Sequence, residues 1–243
     1  MDWRNKKMLK TLDVVIVKEP KISAKLLCEY AESSAVRRNS ILKSCKIKEP
    51  AVVAISQRYN QAQEFISDCL ERSFDFIEIL KTYAEDLRKE SKKTSGKKAD
   101  NMLLCAEALE KFCKMEKMAQ RVFGKYIINN SSHIKGQKIK INGVDISIRP
   151  EIMLSIDGGL TPVGFIKLCF NKTKEVKSSI AQGIAAIGRL YFCEIKKEDF
   201  KPENCFVIDV FANKIYIAPK NDKRILDGYR ACCIEIADRW GKI

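Results

Sequence analysis

The chain has 243 residues, 45 lysines and arginines against 31 acids, a formal charge of +14 and a single histidine. Apolar residues at 46% and charged residues at 31% describe an ordinary globular protein, and no apolar run reaches the roughly 18 residues of a membrane span. No two of the ten cysteines form a CxxC pair, which argues against a structural zinc site or a disulfide framework and for reduced core thiols in a cytoplasmic protein.

The basic excess favours a polyanionic partner, DNA or RNA or an acidic protein surface, and the polar start MDWRNKKMLK has no apolar signal-peptide core. Along the chain, TLDVVIVKEP reads as a short β-like run closed by a proline. KISAKLLCEYAESSAVRRNSILKSCKIKEP follows with helical spacing at Leu26, Leu27, Tyr30 and Ala31, then Ile41 and Leu42. Its basic cluster Arg37, Arg38, Lys43 and Lys46 is either a solvated helix face or a phosphate-contacting patch.

Residues 50–90 read as one long helix opened by Pro50, with a stripe through Ile55, Tyr59, Ala62, Ile66, Cys69 and Leu70 that continues through Phe76, Leu80, Tyr83 and Leu87. SKKTSGKK reads as a polar, basic linker, and ADNMLLCAEALEKFCKMEKMAQRVFGKYI as a further helix capped by Asp100 or Asn101. Past residue 130 the period changes to that of strands, with turns expected at Asn142-Gly143 and Asp157-Gly158-Gly159. KEVKSSIAQGIAAIGRLYFCEI reads as a helix, NCFVIDVFANKIYIAP as a strand pair turning at Asn213-Lys214, and KRILDGYRACCIEIADRWGKI as an amphipathic helix.

Two apolar strands each carry one charge. In VDISIRPEIMLSID the even positions Ile146, Ile148, Pro150, Ile152, Leu154 and Ile156 share one face, which puts Arg149 and Glu151 on the other. In TPVGFIKLCF, Lys167 shares a face with Val163, Phe165 and Cys169. A three-residue loop at 158–160 would pair Asp157 with Thr161 and set Glu151 opposite Lys167. That pair is either an ordinary cross-strand ion pair or a lysine kept for chemistry.

The order of elements and these residues resemble the PD-(D/E)xK, or restriction-endonuclease-like, superfamily, whose core runs helix, three strands, helix, strand. Members carry Pro-Asp on the second strand and acid-x-Lys on the third, the acids binding a divalent metal. Pro150-Glu151 stands at the first motif; Phe165-Ile166-Lys167 supplies the lysine of the second but not its acid. The resemblance implies catalytic positions at Glu151, Lys167 and Gln182. It also implies a magnesium or manganese ion on Glu151 and a helix acid, Glu107 with Glu110 as its neighbour; apart from the resemblance, Arg149 joins the basic cluster as a candidate nucleic-acid contact. The tyrosine expected four positions after Gln182 is Ala186.

The expected fold is α+β. A mainly helical region over 1–98 precedes a mixed domain over 99–243, with an α-β-β-β-α-β core and a C-terminal helix. Three functions remain open: a nucleic-acid-binding protein with a degenerate nuclease-like site, an active divalent-metal nuclease, and a protein-interaction or regulatory module. For the last, Phe65, Phe74, Phe76 and Tyr83 are candidates for a partner or homodimer surface. Asp209 is expected in a cross-strand or surface role, and His133 on the surface.

Overall fold

The computed structural model describes residues 14–72, 76–132, 134 and 136–243; His133 and Phe74 lie outside them. The chain is mixed α+β. In order it forms β1 (Val15–Ile16), β2 (Lys21–Ser23), α1 (Ala24–Ala31), α2 (Ala35–Lys46), β3 (Ile47–Lys48), α3 (Pro50–Ser56), α4 (Asn60–Arg72), α5 (Ile77–Lys92), α6 (Lys97–Cys113) and α7 (Glu116–Phe123). There follow β4 (Ile127–Asn130), β5 (Lys138–Ile141), β6 (Val144–Ser147), β7 (Ile152–Ile156), β8 (Thr161–Cys169), α8 (Ser178–Tyr191), β9 (Cys205–Asp209), β10 (Lys214–Ile217) and α9 (Lys223–Trp240). Among the described residues no helix is long and apolar enough to cross a membrane, and all ten cysteines are free thiols.

A five-stranded sheet in the order β10-β9-β8-β7-β4 organises the molecule; β8 and β9 are parallel and every other neighbouring pair is antiparallel. Parallel neighbours need a crossover, and α8 supplies it. Along β8 and β9 the side chains alternate between two buried layers. Phe165, Cys169, Cys205 and Val207 pack with α1, α2, α8 and α9 on one face, whereas Ile166, Leu168, Phe206 and Ile208 pack with α4 to α7 on the other. Both layers mix residues from before and after position 98, so that position does not divide two cores.

The long helix expected over 50–90 is three helices, α3 to α5, and α4 and α5 stack Phe65 on Tyr83 with ring centroids 3.9 Å apart. The helix expected after the linker begins at Lys97, with Gly96 as its N-cap at φ 65°, rather than at Asp100 or Asn101. It also divides into α6 and α7 at Lys114-Met115.

The apolar run 144–157 is not one strand. Pro150 has no amide hydrogen for a ladder, and around it the chain changes sheets. β6 pairs with β2 and β5 in a three-stranded sheet, whereas β7 pairs with β8 and β4 in the main one. The first strand of the core meander is β4, on a segment whose Ile-Ile-Asn-Asn gave little strand signal. The hairpin at Asn142-Gly143 forms as expected, both residues at positive φ (45° and 82°), the combination a two-residue turn of this hand requires.

Candidate functional site

The register that positions the site comes from two departures that cancel. The β7–β8 loop holds four residues, 157–160, because Ile156 pairs with Thr161. A bulge between Leu154 and Ser155 then leaves Val163 without a partner of its own, and Leu154, Met153 and Ile152 face Gly164, Phe165 and Ile166. Extending that register by one residue sets Glu151 opposite Lys167.

Lys167 Nζ donates to Glu151 Oε1 and, at 2.8 Å, to the Arg149 carbonyl. The carboxylate itself is 0% exposed. Gln63 Nε2, from α4, donates to the same Oε1 at 3.0 Å, and the Leu168 amide donates to Oε2 at 2.5 Å. The local reason is the end of the ladder: Glu151 N donates to Ile166 O, and the next β8 amide on that edge finds the carboxylate instead of main chain. Burial pushes the Glu151 carboxyl up from its ordinary value, against the pull of the Lys167 ammonium and the Leu168 amide. Both oxygens are thus occupied by donors, and the site is a carboxylate locked beneath a lysine whose side chain is 23% exposed.

Around this pair lie further polar contacts. Lys25 Nζ donates to Asn171 Oδ1 at 2.6 Å, just beyond β8. Cys169, the last residue of β8, is buried and its thiol is pushed up to about 11 by burial, with Lys25 and Lys167 pulling the other way. Buried Asp209 accepts from the Val176 amide at 2.7 Å and the Ala212 amide at 3.2 Å, so it fastens the approach to α8 and the turn after β9. That is an interior anchoring role, not the cross-strand or surface one expected.

The other candidates disperse. Glu107 pairs with Lys172 at 2.6 Å and Glu110 with Arg88 at 2.9 Å. Gln182 is half-buried in α8, and no hydrogen bond among the described residues links it to Glu151 or Lys167. Arg149 is exposed. In the basic cluster, Arg38 is committed to Glu235 at 2.9 Å and to the carbonyls of Tyr30 and Ala31. Lys46 donates to main-chain oxygens of Trp240 and Ile243, both at 2.7 Å, at the C-terminal end of α9, where a cation is favoured. Arg37 and Lys43 remain exposed, Arg37 at 3.9 Å from Glu29.

The residues present do not fit a magnesium or manganese ion. Hard cations take several oxygen ligands, yet both Glu151 oxygens are engaged and the place of a second acid is filled by buried Phe165. Among the described residues no group of three or more His, Cys, Asp or Glu side chains is arranged to hold a metal.

Gln63 escaped sequence reasoning because it sits in the polar register of an amphipathic helix, where nothing marks it as reaching the sheet. Phe76 is fully buried, whereas Phe65 and Tyr83 are partly exposed beside Ile79 in a shallow groove of about 400 Å³. In comparisons with known proteins, no family model and no curated relative matches the sequence.

Proposed function

We propose that the protein binds nucleic acid through a nuclease-like scaffold whose reaction centre is degenerate. Within the main sheet the succession α7, β4, β7, β8, α8, β9 is helix, three strands, helix, strand, with β5 and β6 inserted after the first strand. The observation that carries the reading is Glu151 joined to Lys167 on the second and third of those strands, the two positions at which the superfamily keeps an acid and a lysine. Degeneracy follows from the carboxylate's engagement by Lys167, Gln63 and Leu168, which leaves no open oxygen for a metal. The formal charge of +14 supplies the attraction for a polyanion.

The test is fluorescence anisotropy with labelled single- and double-stranded DNA and RNA at increasing salt, with and without magnesium or manganese. The expected result is binding that weakens steeply with salt and no cleavage with either metal, because counterion release dominates such association. Absence of binding to all four, or binding indifferent to salt, overturns the proposal. Cleavage abolished by Lys167→Ala would replace it with an active nuclease.

The groove at Phe65, Ile79 and Tyr83 favours a second reading, a protein-interaction module. Capture of a protein partner that is lost on Ile79→Asp, without nucleic-acid binding, would favour it.

A further inference from the structure

Where the junction of α3 and α4 meets the start of α6, Arg58, Lys97 and Lys98 line a cavity of about 330 Å³. The side-chain amides of Gln57, Gln61 and Asn101 and the buried Met102 complete its wall, and among the described residues no acid contributes to it. On neighbouring α5, by contrast, Lys81 pairs with Glu78 and Lys89 with Asp86, and Lys93, just past its end, pairs with Glu90. Among the described residues Arg58, Lys97 and Lys98 form no ion pair, and Arg58 spends only its Nε, on the Ile55 carbonyl at 3.0 Å. The acid in the same turn of α6, Asp100, is exposed and lies outside the lining.

The fold explains why the charges converge. Gly96 enters α6 at φ 65° and makes no side-chain cap, so among the described residues the first-turn amides of this 17-residue helix have no side-chain acceptor. The Cys105 thiol donates to the Arg58 carbonyl at 3.2 Å, which holds the α3–α4 junction against α6. Three cations facing one cavity without a counter-charge repel one another, and an oxyanion seated among them relieves that repulsion while three carboxamides offer further donors.

We propose that this cavity is a phosphate pocket that seats a backbone phosphate of a single-stranded nucleic acid, an inference that rests on the nucleic-acid reading above. Single strands are favoured by what adjoins Arg58. Tyr59 stacks on Phe170 with centroids 5.2 Å apart and meets Phe211 edge-on at 5.7 Å, all three rings partly exposed. Rings beside a cationic groove give unpaired bases a stacking surface. The same neighbourhood leads to the ion pair, because Phe170 lies three residues beyond Lys167 and Gln63, one helical turn from Tyr59, bonds Glu151.

The test compares three full-length proteins by anisotropy with a labelled single-stranded oligonucleotide over a salt series: wild type, a pocket variant (Arg58→Gln, Lys97→Ala, Lys98→Ala) and a control (Lys92→Ala, Lys93→Ala). The control removes two exposed lysines at the C-terminal end of α5, Lys92 and the capping Lys93, that lie outside the cavity. The pocket variant is expected to bind about tenfold or more weakly, with a salt slope shallower by about 1 to 2, while the control changes by less than about threefold. Equal loss in both variants means diffuse charge and overturns the pocket. Unchanged binding by the pocket variant also overturns it, yet leaves the nucleic-acid function standing. Calorimetric titration with inorganic pyrophosphate separates the remaining source. Pyrophosphate bound by wild type but not by the pocket variant, with no oligonucleotide binding at all, makes this a free-anion site and overturns both proposals.

Discussion

Lys167→Met keeps the length of the side chain and removes only the ammonium over Glu151. Breaking a buried ion pair on one side costs about 3–5 kcal/mol. Two features hold the expected cost to the lower end: Gln63 and the Leu168 amide stay in place, and the Lys167 side chain is 23% exposed. A stranded carboxyl can also escape by binding a proton. From an unfolded value near 4.3 to pH 7, at about 1.36 kcal/mol per unit, that sets a ceiling of about 3.7 kcal/mol on the charge penalty. We expect a loss of about 3 kcal/mol at pH 7, a fall of about 6–12 °C in melting temperature for a chain of this size. The loss depends on pH with a definite sign. In the variant the folded state holds the proton to higher pH than the unfolded chain does, so the penalty grows as pH rises, by up to about 2.7 kcal/mol between pH 5 and 7. Urea denaturation at pH 5, 6 and 7, followed by fluorescence of the buried Trp240, measures this as the difference between variant and wild type. Adding Glu151→Gln to the variant should abolish the pH dependence. A loss below about 1 kcal/mol that is the same at pH 5 and 7 would refute a charged, desolvated Glu151.

Two further outcomes test the packing behind the site. A Cβ on Gly183 would lie 1.9 Å from Tyr229 Oη and 2.8 Å from Cys28 Sγ, so Gly183→Ala should cost about 1–3 kcal/mol or more, and Tyr229→Phe should recover part of it. An alanine variant that melts with wild type would show that α1, α8 and α9 are not so closely packed. Burial acts to raise Glu235, but the Tyr30 hydroxyl, Arg239 and Arg38 outweigh it and hold the carboxyl below its usual value. A depressed acid contributes stability that is present above its unfolded value and lost as pH falls through the folded one. Glu235→Gln should therefore melt below wild type at neutral pH, and the two curves should converge below about pH 4; a constant gap would contradict the ion-pair account.

Much of the β half was legible in the sequence because period-2 patterning and turn chemistry are local. The Asn142-Gly143 hairpin, the crossover helix and the C-terminal helix form where the spacing places them, whereas the turn expected at Asn213-Lys214 spans residues 210–213, with Lys214 already paired to Asp209. The breaks were not legible. The division of 50–90 into three helices depends on α4 folding back along α5, and tertiary packing of this kind leaves no mark on an unbroken 3.6-residue period. β4 was hidden because its side chains carry little apolar signal; its place is set by pairing with β7. Glu151 and Lys167 met although the assumed loop was one residue short, since the bulge at Leu154/Ser155 absorbed the difference. The spread of the basic cluster was equally invisible, because nothing local distinguishes Lys46, which serves the end of α9, from Lys43, which faces solvent.

The change of sheets at Pro150 makes the ion pair a rivet between two bodies of structure. Arg149 closes the stretch that leaves β6, Glu151 opens the stretch that enters β7, and one ammonium on β8 grips both, the first by its carbonyl and the second by its carboxylate. A load applied through exposed Arg149 therefore reaches the main sheet through Lys167 as well as along the chain. That lysine works as a mechanical joint, whatever surface the arginine meets.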